Sequence, residues 1–190
     1  MADIYLFKLR PHEEFFKLYQ QAKEKGNIVI INTMKSQAMI TRELKEFALF
    51  DERYKIFQEM IAGGLVFGTT EESCKLDKNR IQYILKQPSL KCNQFSNIVI
   101  MGDSGTDVGN FEEVVQTQSV PVSFLLVTDK YDVLKKSSEE LTAERSKLEK
   151  TKKTLLRRLE EIKQKRAGVE IFHEPYAKIL SEEYKPILLR

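Results

Sequence analysis

Two rhythms of apolar residues run along this chain: stripes at helical spacing, and short unbroken runs bounded by glycine, proline or polar clusters. Residues 4–9 (IYLFKL) are β-branched and aromatic and predict a strand, closed by Pro11. Pro11 followed by Glu13 and Glu14 is a helix start, because acidic side chains favour the positive N-terminal end. Phe15, Leu18, Tyr19 and Ala22 then share one face, and Gly26 is the stop. Residues 27–33 (NIVIINT) form the continuous apolar run expected of a buried strand, so the opening reads β-α-β with parallel strands. From 36 to 62 neither Gly nor Pro occurs, and Ile40, Leu44, Phe47, Phe50, Tyr54, Phe57 and Ile61 make a helical stripe, with a bend or break expected near Asp51. Gly63-Gly64 ends it. Residues 65–70 (LVFGTT) predict a strand, 78–86 a helix stopped by Pro88, 97–101 (NIVIM) a second buried strand, and 120–127 (VPVSFLLV) another. Residues 169–172 (VEIF) predict a last short strand, and 177–190 a weakly helical tail interrupted by Pro186.

Between those last two strands lies one long charged helix, 129–166. Leu134, Leu141, Leu148, Leu155 and Ile162 recur every seven residues, the period of left-handed coiled coils. With this register as d, position a holds Tyr131, Ser138, Arg145, Lys152 and Leu159, so only part of the seam is apolar. In a parallel dimer Glu144 would face Glu149 and Arg158 would face Lys163. Both pairs are like-charged, and an antiparallel pairing avoids them. An isolated helix of this kind is marginal in water. Some surface must cover the leucines: a second copy, the chain's own body, or a different partner. The expected fold is α/β or α+β, a mixed sheet of about five to six strands with flanking helices and one protruding coiled-coil-like helix. The expected division is a globular body over 1–128, the helix over 129–166, and a strand and tail over 167–190 that return to the body.

Composition sharpens this picture at one place. The 190 residues are 42% hydrophobic, enough for a core, and 31% charged, above the usual quarter. Net charge is +3, but residues 145–166 carry ten Lys or Arg against three Glu. That segment is therefore +7 and the remainder −4: a mildly acidic body with a basic rod. A basic face is the electrostatic footprint of polyanion binding, here Arg145, Lys152, Lys153, Arg157, Arg158, Lys165 and Arg166. No aromatic residue lies between Asp132 and Val169, which argues against base stacking along the rod. No apolar run reaches the roughly 18 residues of a membrane span, and the N-terminus lacks signal-peptide features. Cys74 and Cys92 show no metal or redox spacing, so a reducing, intracellular setting, cytoplasmic or nuclear, is expected.

Candidate chemistry concentrates in residues 98–115 (IVIMGDSGTDVGNFEEVV), where Asp103, Ser104 and Asp107 follow a buried strand, the usual position of ligand sites in open α/β sheets. Over about ten residues this loop resembles the last motif of haloacid-dehalogenase-type phosphatases, which implies a Mg²⁺-holding role for the two aspartates. That family's nucleophilic Asp and the second Asp two residues on have no counterpart, because Asn32 and Met34 stand on the first buried strand. An amide forms no aspartyl-phosphate, so the resemblance implies an inactive relic. Over seven residues the loop also resembles the GDS block of serine esterases, with Ser104 as nucleophile and only His12 and His173 as possible bases. The plainer alternative is a polar turn in which Asp103 or Asp107 caps a helix near Phe111. Tyr5, Phe7, Phe15, Phe16 and Tyr19 form an aromatic edge, for base stacking or, more ordinarily, core packing. No zincin, P-loop or dinucleotide motif occurs, and neither a cofactor nor a metal is expected. The first functional expectation is a non-enzymatic, self-associating assembly protein joined through Leu134, Leu141, Leu148, Leu155, Leu159 and Ile162, which binds a further, unspecified protein but no membrane. The alternative is nucleic-acid binding by the basic face. The third is the phosphohydrolase relic.

Overall fold

Strands and helices of this chain gather into two compact units, Met1–Asn93 and Gln94–Leu188. A computed structural model describes residues 13–90, 95–129, 142–179 and 181–189. The expected strand over 4–9, with Tyr5 and Phe7, lies outside them, as do Leu134, Leu141 and the side chain of Phe15.

In the first unit, α1 (Glu13–Glu24) ends at Gly26, whose φ of 77° only glycine adopts without strain. Asn27 N–H donates to Ala22 O and Gly26 N–H to Lys23 O, the paired bonds of a Schellman stop. Strand β1 (Ile31–Ser36) runs directly into α2 (Gln37–Phe50), because Ser36 accepts from the Met39 N–H and caps the helix. The expected break falls at Asp51, whose extended backbone and side-chain bond from Arg53 N–H open a 3₁₀ turn, Glu52–Tyr54. Helix α3 (Lys55–Ala62), β2 (Val66–Thr69) and α4 (Arg80–Leu85) complete the unit. β1 and β2 pair in parallel, Ile31 beside Val66 and Asn32 beside Phe67. The core is Tyr19, Ile40, Leu44, Phe47, Tyr54, Phe57, Met60 and Val66. Phe16 meets Tyr54 edge-on at 5.3 Å. Of the aromatic edge, Phe16 and Tyr19 thus serve core packing.

The second unit is built on β3 (Ile98–Gly102), β4 (Val122–Val127) and β5 (Val169–Glu174), parallel and in that order. Between them lie α5 (Gly105–Thr117) and α6 (Thr142–Gln164). Successive β4 side chains point to opposite faces. Phe124 meets Phe111 of α5 at 4.9 Å on one face. Leu125 packs on the other against Ile179 and Tyr184, with Val99, Val127 and Phe172 alongside. Covering both faces is why β4 is apolar at every position but Ser123, whose hydroxyl donates to Glu170. Two short helices, α7 (Tyr176–Ile179) and α8 (Lys185–Leu188), form the tail. Pro186 sits in the first turn of α8, where its missing N–H is no loss, so it does not interrupt that helix.

Among the described residues the strands form two small parallel sheets, of two and three strands, in a mixed α/β arrangement, and a single sheet of five to six strands is not shown. Every described pair is parallel and is joined by a helical crossover, the connection that parallel pairing requires. The long helix is described over 23 residues, about 35 Å at helical rise, against about 20 Å for the six-residue strands beside it. No helix among the described residues is long and apolar enough to cross a membrane.

Candidate functional site

Asp103, Ser104 and Asp107 follow β3 and begin α5, and their geometry is that of a helix cap. Ser104 is the N-cap and its hydroxyl accepts from Asp107 N–H. Asp107 Oδ2 in return accepts from Asp103 N–H and Ser104 N–H, each at 3.1 Å, and from the Ser104 hydroxyl at 2.6 Å. This reciprocal arrangement satisfies the first donors of the helix. A Cβ at Gly102 would overlap the Asp107 side chain, so the glycine permits the carboxylate to fold back. Asp107 is buried and occupied by these donors, and the Ser104 hydroxyl donates to it rather than to a histidine. His173 lies exposed on β5. Among the described residues no three His, Cys, Asp or Glu are grouped to hold a metal. Asn32, where the phosphatase resemblance calls for a nucleophile, accepts from Arg80 Nε at 3.0 Å, and Met34 is exposed.

Arg80 has no forerunner in the sequence reading. Its side chain is fully buried and donates to Asn32 Oδ1, to Ser73 O and Oγ, and to Gly68 O. These acceptors belong to β1, the loop after β2, and β2 itself. Burial pulls the Arg80 pKa down, yet a guanidinium stays charged. The cation also lies 5.8 Å from the Tyr83 ring centre.

Helix α6 turns two different faces to its surroundings. Leu155, Leu159 and Ile162 are buried at 6%, 1% and 1% exposure, where α6 packs on α5 and β5. Leu148 is half-buried. Leu155 lies against Gly105, the first residue of α5, so residues 142–154 continue past that level by about 20 Å. Three of the basic residues hold the second unit together. Arg158 and Lys165 both donate to Glu112, at 2.7 and 3.0 Å. Arg166 donates to the carbonyls of Val115, Gln118 and Val120, which close the end of α5 and the approach to β4. Among the described residues Arg157 pairs with Glu161 at 3.6 Å, both side chains exposed. Lys153 is exposed, Lys152 is half-buried, and the Arg145 side chain is outside the described set.

The two cations hold the Glu112 carboxyl below the usual carboxylate range, Arg158 acting most strongly. A folded-state value below the unfolded one means that the stabilisation is present above about pH 4.3 and lost as pH falls through the folded value. Glu112→Gln is therefore expected to lower the urea midpoint at pH 7 by the equivalent of about 1 kcal/mol, given partly exposed partners. The gap to the parent should close on acidification to about pH 3; a gap independent of pH would refute the assignment.

In the first unit an open groove of about 1140 Å³ runs between α2 and α3, lined by Ala38, Thr41, Lys45, Leu49, Ile61 and Ala62 among others. Leu49 is 81% exposed there. Comparison of the chain with protein-family models, with curated proteins and with solved structures finds no match.

Proposed function

We propose that this is a self-associating interaction protein in which α6 plays two parts. Its C-terminal half anchors the helix to the three-stranded sheet, and its N-terminal half carries the association. The observation behind this reading is the mismatch of lengths: a helix of about 35 Å on strands of about 20 Å, with one leucine seam running the whole way. Leu155, Leu159 and Ile162 are covered within the chain. The same heptad register continues upstream through the half-buried Leu148 to Leu141 and Leu134, which lie outside the described residues. A leucine-striped helix without a covering surface is marginal in water, and a second copy of the seam is the simplest cover. The like-charged pairs of a parallel arrangement favour antiparallel association. The Asp103–Asp107 loop adds no argument for catalysis, since its buried carboxylate serves the cap.

Size-exclusion chromatography with light scattering tests this. The parent protein is expected at twice the chain mass at about 50 μM, and Leu141→Asp with Leu148→Asp at the single-chain mass with an unchanged circular dichroism spectrum. A parent protein that stays at single-chain mass, or a variant that stays dimeric, overturns the proposal.

A further inference from the structure

The face of α6 opposite its buried leucines is a row of cations, and it differs from the set that the linear sequence picks out. At 100° per residue, Lys147, Lys150, Lys153 and Arg157 fall within one third of the helix circumference. All four are exposed, and they span about 15 Å. Leu155, Leu159 and Ile162 lie on the far side. Within the row stands one acid, Glu161, in a long exposed contact with Arg157, a type of pair worth little. Glu149 and Glu160 fall along one edge. Ser146 and Thr154 fill the gaps, so the exposed row carries hydroxyls and cations but no apolar or aromatic side chain.

That composition selects a partner. A lipid surface would be gripped by apolar side chains inserted below the headgroups, and this face has none. Single-stranded nucleic acid is held by aromatic stacking, and that too is missing here. What remains is charge alone along one face of a helix, which suits the regularly spaced phosphates of a duplex. We infer that the Lys147–Lys150–Lys153–Arg157 row of α6 docks on the phosphate backbone of double-stranded nucleic acid without reading its sequence. Arg158, Lys165 and Arg166 take no part, because their guanidinium and ammonium groups are turned to Glu112 and to backbone carbonyls. The inference is independent of self-association, since a single copy presents the same face.

Fluorescence anisotropy with a labelled 20-base-pair DNA duplex provides the test. About four neutralised phosphates predict a slope of log K against log salt between −3 and −4, so affinity should fall roughly a hundredfold from 50 to 200 mM salt. Lys147→Glu, Lys150→Glu and Lys153→Glu combined should abolish binding while the circular dichroism spectrum stays native, and Lys165→Gln should leave the affinity within twofold. Equal affinity for two unrelated duplex sequences supports docking on the backbone. No binding at 50 mM salt overturns the inference, as does binding that survives the triple charge reversal. Tighter binding to single strands, or to phosphatidylserine vesicles than to the duplex, also overturns it and assigns the row to that other polyanion.

Discussion

Replacing Arg80 with leucine is expected to destabilise the protein by about 3 kcal/mol or more, read as a drop in the urea midpoint. The side chain is fully buried, and its removal strands acceptors on three separate segments: Asn32 on β1, Gly68 on β2 and Ser73 in the loop. Each buried acceptor left without a donor costs about 1–3 kcal/mol, partly relieved where water enters. Arg80→Lys is expected to recover less than half of the loss. An ammonium is a single point of donors and cannot reach outward in three directions as the guanidinium fork does. If the lysine variant unfolds within about 0.5 kcal/mol of the parent protein, charge rather than the fork holds the two strands and the loop, and the interpretation fails.

Leu159→Ala is expected to cost about 2–5 kcal/mol, and Leu148→Ala about 1 kcal/mol or less. The two residues belong to one helix and one stripe, so propensity is the same for both. They differ in cover: Leu159 is 1% exposed where α6 packs on α5 and β5, whereas Leu148 is half-buried seven residues beyond Leu155. The comparison should be made at a protein concentration where light scattering reads the single-chain mass. Equal losses would mean that α6 is not anchored by its C-terminal half.

Several elements were legible because their signals are local. The runs NIVIM and VSFLLV became β3 and β4, and the break at Asp51 followed from a cap residue amid a long stripe. Ser104 and Asp107, three residues apart before an apolar run, carry the signature of a capping box, which the sequence also leaves open to metal-binding readings. The β1 boundary was less legible. The run NIVIINT has four consecutive apolar residues, 28–31, and no alternation to set its register, and pairing begins only at Ile31 and continues to the cap at Ser36. The basic residues divide the same way. Arg158, Lys165 and Arg166 look like solvent-facing cations in a linear reading, because their partners lie 46 to 53 residues upstream. Arg80 is the extreme case. Within a six-residue helix an arginine reads as the polar side, and nothing nearby announces that Asn32, 48 residues earlier, receives it.

The parallel pairing of β4 with β5 has a consequence for how this chain tolerates change. Ser123 and Glu170, facing partners on those strands, are 47 residues apart, about twice the separation of Ile98 from Val122 across β3 and β4. Doubling the span of a connection adds only about 0.6 kcal/mol of closure entropy. The length of the rod is thus nearly decoupled from the stability of the sheet that carries it. Whole heptads inserted or removed upstream of Leu148 would change reach and leave Leu155, Leu159 and Ile162 in their seats. The insertion point between β4 and β5 is a place where the protein can be made longer or shorter without being refolded.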